Sequence, residues 1–400
     1  MAHESDVCVV GGGPAGMMLA VLLVRAGLSV VVLEKHADFL RDFRGDTIHA
    51  STLNLMDELG WGEAFLRLPH QKARRLSGVF GEREYTFGDC GRLPGRHRYI
   101  ALMPQWDFLD FLAGKAQELS GFTLLRSTEV DGLVRAPSGR VVGVSAAGPD
   151  GRVEVRARLV VACDGRHSDV RRLLRLEPRE YGAPMDVLWF RLPREPSDPE
   201  GVSFIVGPGI GLVLIDRGDY FQIAYVIPKG GFDRVRAAGL EALVDNVGKL
   251  APSLAGRGDV LKSWDDVSQL TVVINRLRRW DRDGVLLVGD AAHAMSPMGG
   301  VGVNLAIQDA VAAARILAGP LRAHQEPPLW RVQLRRWYPT VATQLLQRAL
   351  GRGVVARVLQ SDRPLPVPGF VQLAARFPVL QGLPARAVAI GFLPEHIAGT

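Results

Sequence analysis

Short apolar runs that end at glycine or at a carboxylate recur along the chain. They occupy residues 6–10, 29–33, 160–163 and 285–288. Runs of this length and composition are typical of strands buried on both faces of a parallel sheet. The first is followed by a helical pattern over residues 17–25. The pattern predicts an α/β fold whose ligand sites lie at the carboxyl ends of its strands.

A glycine-rich turn follows the first of these strands. Gly11, Gly13 and Gly16 form the pattern G-x-G-x-x-G, and Glu34 ends the next strand eighteen positions after the last glycine. In such a turn the glycines admit a pyrophosphate, and the acidic residue is placed for an adenosine ribose. We predict a dinucleotide site; the alternative is a turn without a ligand, and the pattern alone does not separate NAD from FAD. The predicted contacts are Gly11, Gly13, Pro14, Ala15, Gly16, Glu34 and Lys35.

A second glycine-rich segment follows the run at residues 285–288. Asp290 comes at the carboxyl end of that strand, and a loop spans residues 297–302. Asn304 is predicted to cap a helix, because apolar residues repeat at helical spacing after it. Those residues are Ile307, Val311 and Ala314. A helix amino end favours negative charge, so the segment suits a ribityl hydroxyl on Asp290 and an anion over the loop, as in a reduced flavin.

Four other residues have two interpretations each. Arg44 is a candidate bidentate partner of the pyrophosphate or a solvated charge. Gln105 lies in the first turn of a helix opened by Pro104, where it faces either the cofactor or the solvent. We expect His293 to be a structural hydrogen-bonding residue rather than a base, and His49 to be a turn or packing residue.

The composition changes near Glu177, where short strands are divided by proline and glycine segments. We predict an antiparallel layer, then a helical stretch over residues 232–250 and a strand over residues 269–275. Side chains of residues 220–225 alternate between two faces, one expected to pack and the other to border a pocket. The candidate substrate contacts are Trp189, Tyr220, Gln222 and Tyr225, and for each the alternative is a place in the core.

Composition narrows the class of protein. The 400 residues carry a formal net charge of +6, but the basic residues are scattered, so we predict anion-binding positions and no nucleic-acid surface. The apolar run at residues 17–24 is too short to span a bilayer and no basic leader is seen, so no stable membrane insertion is expected. Cys8 and Cys163 lie inside apolar strand runs and are predicted to be buried thiols. The wide spacing of Cys8, Cys90 and Cys163 predicts no metal site, and a cytoplasmic location is expected.

Three motifs stand in one order along the chain. They are the glycine turn with Glu34, then Asp164-Gly165, then Gly289-Asp290 with its proline and glycine loop. Over about residues 5–320 this set resembles the group A flavoprotein monooxygenases, the family of para-hydroxybenzoate hydroxylase. The segment TIHASTLNLMDELG, which begins at Thr47, is similar to the same family.

The resemblance implies a role for each motif. Arg44 and Gln105 match positions that hold FAD, Asp164-Gly165 matches a motif tied to both FAD and NADPH, and Asp290 matches the ribityl ligand. The loop then lies over the reactive edge of the flavin. The loop residues implied to bind FAD are Gly289, Pro297, Gly300, Gly302, Val303 and Asn304, and those implied to take part in catalysis are Pro297, Gly302 and Asn304.

The resemblance also implies the architecture: α/β, with a Rossmann-type FAD-binding domain of the para-hydroxybenzoate hydroxylase (GR2) kind, an antiparallel β-sheet substrate domain and a C-terminal helical tail. We predict the FAD-binding domain from residues 1–75, 98–178 and 268–325, and the substrate domain from residues 76–97 and 179–267. Residues 326–400 carry no motif and are expected to pack on the body or to form a dimer contact, so monomer and homodimer both stay open.

The implied activity is hydroxylation of an aromatic small molecule. NADPH or NADH reduces FAD, O₂ forms a C4a-hydroperoxide, and one oxygen atom passes to an electron-rich ring. Two alternatives are a flavin oxidoreductase without oxygen insertion and a weak FAD binder without activity. A phenol, a polyketide aromatic and a heteroaromatic acid all remain possible substrates, and no family substrate-binding Arg or Tyr is identified.

Overall fold

The computed structural model describes residues 2–40 and 47–397 of the chain. The helices are α1 (Pro14–Arg25), α2 (Ala50–Glu58), α3 (Gly62–Leu66), α4 (Gln105–Gln117), α5 (Asp169–Leu173), α6 (Phe232–Ala238), α7 (Leu240–Leu250), α8 (Val301–Arg322), α9 (Trp330–Leu350), α10 (Ala356–Leu359), α11 (Gly369–Arg376) and α12 (Gly382–Ala389). The first strands are β1 (Ala2–Val10), β2 (Val30–Leu33), β3 (Thr47–Ile48), β4 (Gln71–Ala73), β5 (Arg75–Phe80), β6 (Arg83–Asp89), β7 (Ile100–Leu102), β8 (Phe122–Leu125), β9 (Glu129–Arg135) and β10 (Val141–Gly148). The later strands are β11 (Gly151–Ala162), β12 (Arg179–Glu180), β13 (Met185–Pro193), β14 (Val202–Gly207), β15 (Ile210–Asp216), β16 (Tyr220–Pro228), β17 (Ser268–Leu270), β18 (Asn275–Arg276), β19 (Asp281–Arg282) and β20 (Val285–Leu287).

The larger sheet has eight strands in the order β19-β20-β11-β1-β2-β8, with β10 and β9 continuing from β11. β1 pairs in parallel with β2 and β11, and β11 pairs in parallel with β20. The four apolar runs are therefore neighbouring parallel strands, which confirms the predicted α/β arrangement. Because these strands share one direction, their carboxyl ends bring Gly11, Asp164 and Gly289 to one edge of the sheet.

Helices α1 and α8 pack against each other beside this sheet. The predicted helical repeat of α8 is confirmed, since Ile307, Val311 and Ala314 are all buried in the core. Among the described residues, one helical stretch, Met298–Arg322, is long and apolar enough to cross a bilayer. However, 67% of its most apolar window is buried inside the protein, as in a core helix.

The second sheet has seven strands in the order β17-β13-β16-β15-β14-β5-β6. Its pairs are antiparallel except for β14 with β5, so the predicted antiparallel layer is present. Helices α6 and α7 cover one face of it. The strand predicted over residues 269–275 is divided into β17 and β18, which belong to different sheets. The domain boundaries given above stay predictions.

The C-terminal region is helical, as expected. Helix α9 continues through a π-helical segment, Gly351–Val355, into α10. The two sides of α9 have the reverse of the usual polarity. Its buried side is mainly polar, and its other side exposes large apolar side chains. The buried polar residues are Arg336, Thr340, Thr343, Gln344 and Gln347. The exposed apolar residues are Trp330, Leu334, Trp337, Tyr338, Leu345 and Leu346.

Candidate active site

The glycine turn after β1 has room for a ligand at one glycine only. Gly11 has φ +102°, and a Cβ on it would lie 2.5 Å from the Cys163 carbonyl oxygen. A Cβ on Gly16 would lie 1.9 Å from the Gly11 oxygen, whereas one on Gly13 meets no described atom within 4 Å. Among the described residues no side chain caps α1, which begins at Pro14, so its first N–H groups face this space. The turn therefore fits a pyrophosphate.

Glu34 lies directly against this turn. It is 8% exposed; its Oε2 accepts a hydrogen bond from Gly12 N at 2.9 Å, and its Oε1 accepts one from His36 N at 3.1 Å. These bonds hold the carboxylate at the carboxyl end of β2, where the sequence predicts a contact with the adenosine ribose. The neighbouring Lys35 is exposed. Both assignments stay predictions.

Asp164 follows β11 at the same edge of the sheet. Its Oδ2 accepts a hydrogen bond from Val170 N at 3.0 Å, while its buried Oδ1 has no hydrogen-bond partner in the described part of the chain. Burial raises the pKa of this carboxyl, although hydrogen bonds from Ser168 and Val170 act in the opposite direction. A buried oxygen without a partner is costly, so Asp164 is suited to accept a hydrogen bond from a cofactor hydroxyl. Gly165, with φ +79°, turns the chain away.

Asp290 lies in a 3₁₀ turn, Gly289–Ala291, that follows β20. Gly289 is needed for close packing, because a Cβ on it would lie 3.1 Å from Ala306 Cβ and 3.6 Å from Ala15 Cβ. The Asp290 side chain is 31% exposed, and its Oδ2 lies 4.0 Å from Arg166 Nη2. Arg171 donates to the Ala291 carbonyl at 3.0 Å. No sequence pattern predicts either arginine, because both follow Asp164 and reach the Asp290 turn only where β11 and β20 are neighbours in the sheet.

The second glycine loop adopts a left-handed backbone. Gly299 and Gly300 have φ +75° and +62°, and a Cβ on Gly300 would lie 2.1 Å from Thr47 Oγ1. Pro297 precedes a 3₁₀ turn, Met298–Gly300, that leads into α8. In the described structure α8 has no side-chain cap, so its first N–H groups, including those near Gly302 and Val303, are available to a ligand.

The predicted capping role of Asn304 is wrong. α8 begins three residues earlier, and Asn304 is a buried residue within the helix. Its Nδ2 donates to the carbonyls of Thr47 (3.0 Å) and Gly300 (3.2 Å), and its Oδ1 accepts from His49 N (2.9 Å) and Thr52 Oγ1 (2.8 Å). The amide of the side chain therefore ties the loop to β3 and α2. The contact of Asn304 with the cofactor stays a prediction.

His293 and His49 are buried and hydrogen-bonded, as predicted for structural residues. His293 Nε2 lies 2.6 Å from Asp309 Oδ2, and both residues are buried. His49 Nδ1 contacts the Val388 carbonyl at 2.8 Å, and burial lowers the pKa of His49 to about 4. Gln105 begins α4 after Pro104, as expected, and is half-buried. Arg44 lies outside the described residues.

One face of the second sheet lies towards the glycine loop. Trp189 of β13 and Met298 of the loop pack against the same buried cluster, which includes Val187 and Ala224. Phe204 of β14 continues this face by the strand register, and its ring lies 6.0 Å from that of Phe87. These half-buried aromatic side chains provide an apolar wall beside the loop.

Tyr225 does not belong to that wall, so its predicted role as a substrate contact is wrong. It lies on the other face of the sheet, in the core against α7, and its hydroxyl is 3.4 Å from Asn246 Nδ2. Strand alternation requires this, because Ala224 faces the loop. Gln222 is buried and accepts hydrogen bonds from Arg217 at 2.8 and 3.0 Å, and Tyr220 lies beneath the Arg191 guanidinium at 5.1 Å. Trp189 is thus the best placed of the four.

Residues 4–331 match the FAD binding domain family, and the chain belongs to it. The chain is 37% identical to 6-methylpretetramide 4-monooxygenase of Streptomyces rimosus over 323 residues, which are 80% of this chain and 77% of that protein. It is 32% identical to rifampicin monooxygenase of Streptomyces venezuelae over 76% of this chain, but it spans only 62% of that longer protein. The family and the enzyme class, an FAD-dependent aromatic monooxygenase, are as expected.

Solved structures confirm the fold class. The anhydrotetracycline hydroxylase OxyS from Streptomyces rimosus matches 96% of this chain and 76% of its own, with a TM-score of 0.74 and 27% identity. PqsL from Pseudomonas aeruginosa matches 90% of this chain and 97% of its own, with a TM-score of 0.74 and 24% identity. The latter likeness concerns the fold alone.

Proposed function

We propose that the chain hydroxylates a polycyclic phenolic compound, with NADPH or NADH as electron donor. One oxygen atom of O₂ enters the ring as a hydroxyl group, the other leaves as water, and the nicotinamide donor supplies two electrons. The observation that carries the proposal is the apolar wall around Trp189 beside the glycine loop. Relatives named for 6-methylpretetramide and rifampicin support a bulky aromatic substrate.

The protein's own groups have two tasks in this reaction. FAD, when bound, supplies oxygen activation and transfer. The N–H groups at the start of α8 and the helix dipole stabilise negative charge on the reduced ring system. The sheet face with Trp189 and Phe204 keeps water from the reacting centre. The residues suited to hold FAD are Gly13, Glu34, Gln105, Asp164, Asp290 and the loop from Pro297 to Asn304, with Arg44 as a further candidate.

Location and assembly belong to the same proposal. All three cysteines are free and buried, which supports a reducing compartment such as the cytoplasm. We propose a monomer or a homodimer. Light scattering of the purified protein distinguishes the two.

A substrate screen tests the proposed activity. Purified protein with FAD is mixed with NADPH or NADH and a panel of polycyclic phenols, simple phenols and heteroaromatic acids. We expect a polycyclic phenol to stimulate oxidation of the donor and to yield a product heavier by one oxygen atom. Oxidation of the donor without any oxygenated product would instead support the oxidoreductase alternative.

Removal of one carboxylate tests the cofactor site. Asp290→Ala is expected to weaken FAD binding about tenfold, because a hydrogen bond between a charged acceptor and a ligand hydroxyl is lost. Asp283→Ala, at an exposed aspartate, is the matched control. Titration of the apoprotein with FAD, followed by flavin fluorescence, measures both. Equal affinity in the Asp290→Ala variant and the native protein would remove Asp290 from the site.

A further inference from the structure

The buried side of α9 contacts the chain just before the glycine loop. Gln347 is 4% exposed, and its Oε1 accepts a hydrogen bond from Ser296 N at 3.0 Å. Its Nε2 donates to the Ser296 carbonyl at 2.9 Å and to the Met298 carbonyl at 3.1 Å. One side-chain amide thus satisfies three backbone groups on either side of Pro297.

A second glutamine repeats the arrangement one turn earlier in α9. Gln344 Nε2 donates to the carbonyls of Asn275 (2.8 Å) and Ala294 (3.1 Å), and its Oε1 accepts from Arg276 at 2.7 Å. The two glutamines lie on the same face of the helix at a spacing of three residues. Together they fix the backbone on both sides of Met295.

The backbone here has few means of holding its own shape. Gly299 and Gly300 come directly after Met298, and both have a left-handed backbone. The 3₁₀ turn Met298–Gly300 has no buried residue. Glycine gives such a turn many alternative conformations. The position of the turn must therefore be set by its neighbours, which include Asn304 of α8, Thr47 of β3 and Gln347 of α9.

We propose that Gln347 is a positioning residue for the flavin ring, acting through the Ser296–Met298 backbone. The proposal rests on the proposed function, in which the loop from Pro297 to Asn304 faces the cofactor. Gln347 sets where the first N–H groups of α8 and the ring of Pro297 lie against the flavin. It also gives the motif-free C-terminal region a part in the active site.

The substitution Gln347→Met keeps the length of the side chain and removes all three hydrogen bonds. We expect FAD affinity to fall about tenfold. The backbone groups of Ser296 and Met298 lose their hydrogen-bond partner, so the loop conformation that binds FAD becomes less stable. We also expect a shifted flavin absorption maximum and more peroxide released per donor oxidised. The KM for the aromatic substrate should stay within about twofold, since Gln347 does not lie on the sheet face with Trp189.

The substitution Gln347→Glu provides a pH signature that general damage to the fold does not produce. An ionised carboxylate accepts from Ser296 N but repels the two carbonyl oxygens, whereas a protonated carboxyl donates to one of them. Burial beside two carbonyls raises the pKa of the introduced group. FAD affinity of this variant should therefore recover as the pH falls from 8 to about 6, and the affinities of the native protein and of Gln347→Met should not.

A control variant and the Asp290→Ala variant separate the possible failures. Gln360→Met, at an exposed glutamine after α10, is the matched control and should leave FAD affinity and the spectrum unchanged. If Asp290→Ala weakens FAD binding but Gln347→Met changes neither affinity nor spectrum, Gln347 is not a positioning residue. If neither substitution affects FAD, the proposed site itself is wrong. A Gln347→Glu variant whose affinity is low at every pH would also overturn the proposal.

Discussion

Helices α1 and α9 both serve the candidate active site, but their interiors are opposite in character. α1 is buried with apolar residues throughout, from Ala15 to Val24, and its contribution to the site is the bare backbone of the glycine turn before it. α9 turns glutamine, threonine and arginine inwards and leaves Trp330, Leu334 and Leu345 more than half exposed.

The difference follows from what each helix packs against. α1 lies on strands whose backbone groups are already paired within the sheet, so only apolar side chains face it. α9 lies on α8 and on irregular segments at β18 and between β20 and α8, whose buried N–H and C=O groups need partners. Side-chain amides supply those partners. A polar inner face therefore marks a helix that supports a loop rather than a sheet.

The largest expected effect is at Arg336, on the inner face of α9. Its Nε lies 2.9 Å from Asp309 Oδ1 and its Nη1 lies 3.3 Å from Glu395 Oε1, with all three side chains buried. Arg336→Met leaves two buried carboxylates short of a partner and should lower the free energy of unfolding by about 3–5 kcal/mol. Urea unfolding followed by tryptophan fluorescence measures it.

A matched control lies one residue away. Arg335 also binds Glu395, at 2.8 Å, but its side chain is 46% exposed. Arg335→Met should cost less than about 1 kcal/mol, because solvent screens the half-exposed guanidinium and the buried Glu395 keeps Arg315 and Arg336 as partners. Equal losses for the two variants would show that burial of the α9 inner face does not decide its contribution.

The glycine turn of α1 should respond differently at two neighbouring glycines. Gly16→Ala forces a Cβ to within 1.9 Å of a backbone oxygen, so we expect it to lower the free energy of unfolding by about 1–3 kcal/mol. Gly13→Ala meets no described atom within 4 Å, so the free energy of unfolding should change by less than about 0.5 kcal/mol while FAD affinity falls. Thermal unfolding of the apoprotein and FAD titration separate these outcomes. Loss of stability without loss of affinity at Gly13 would contradict the pyrophosphate assignment.

A pH-dependent effect is expected at His49, where the first half of the chain meets α12. Burial lowers the pKa of His49 to about 4, below the value of about 6.5 expected in the unfolded chain. The folded state therefore binds fewer protons than the unfolded chain. The contribution of His49 to the free energy of unfolding is complete above about pH 6.5 and declines as the pH falls towards 4. We expect a loss of about 2 kcal/mol between pH 7 and pH 5 from this residue.

The variants His49→Gln and His49→Phe remove the titration and should make that decline shallower. Urea unfolding at pH 7 and pH 5 provides the comparison. An unchanged slope in both His49 variants would mean that His49 is not held neutral by burial.

The amino-acid sequence by itself determined the parallel sheet, the ends of its central strands and the motifs found there. Gly11, Asp164 and Asp290 follow apolar runs directly, and a strand and the residue after it are joined by covalent geometry, so local pattern suffices. The helical repeat of Ile307 and Val311 is local for the same reason.

Only the tertiary structure decided which side chains serve the loop. Asn304 has the residue type of a cap, yet it binds Thr47 and His49, which are more than 250 positions away in sequence. Gln347 and Arg336 look like surface residues until the partners at Ser296 and Asp309 are known. Tyr225 and Trp189 lie on opposite faces of the second sheet. Which of the two faces borders the glycine loop depends on the layers that pack against the sheet. Hydrogen bonds between distant segments leave no periodic trace in sequence, because each depends on a backbone position that another part of the chain sets.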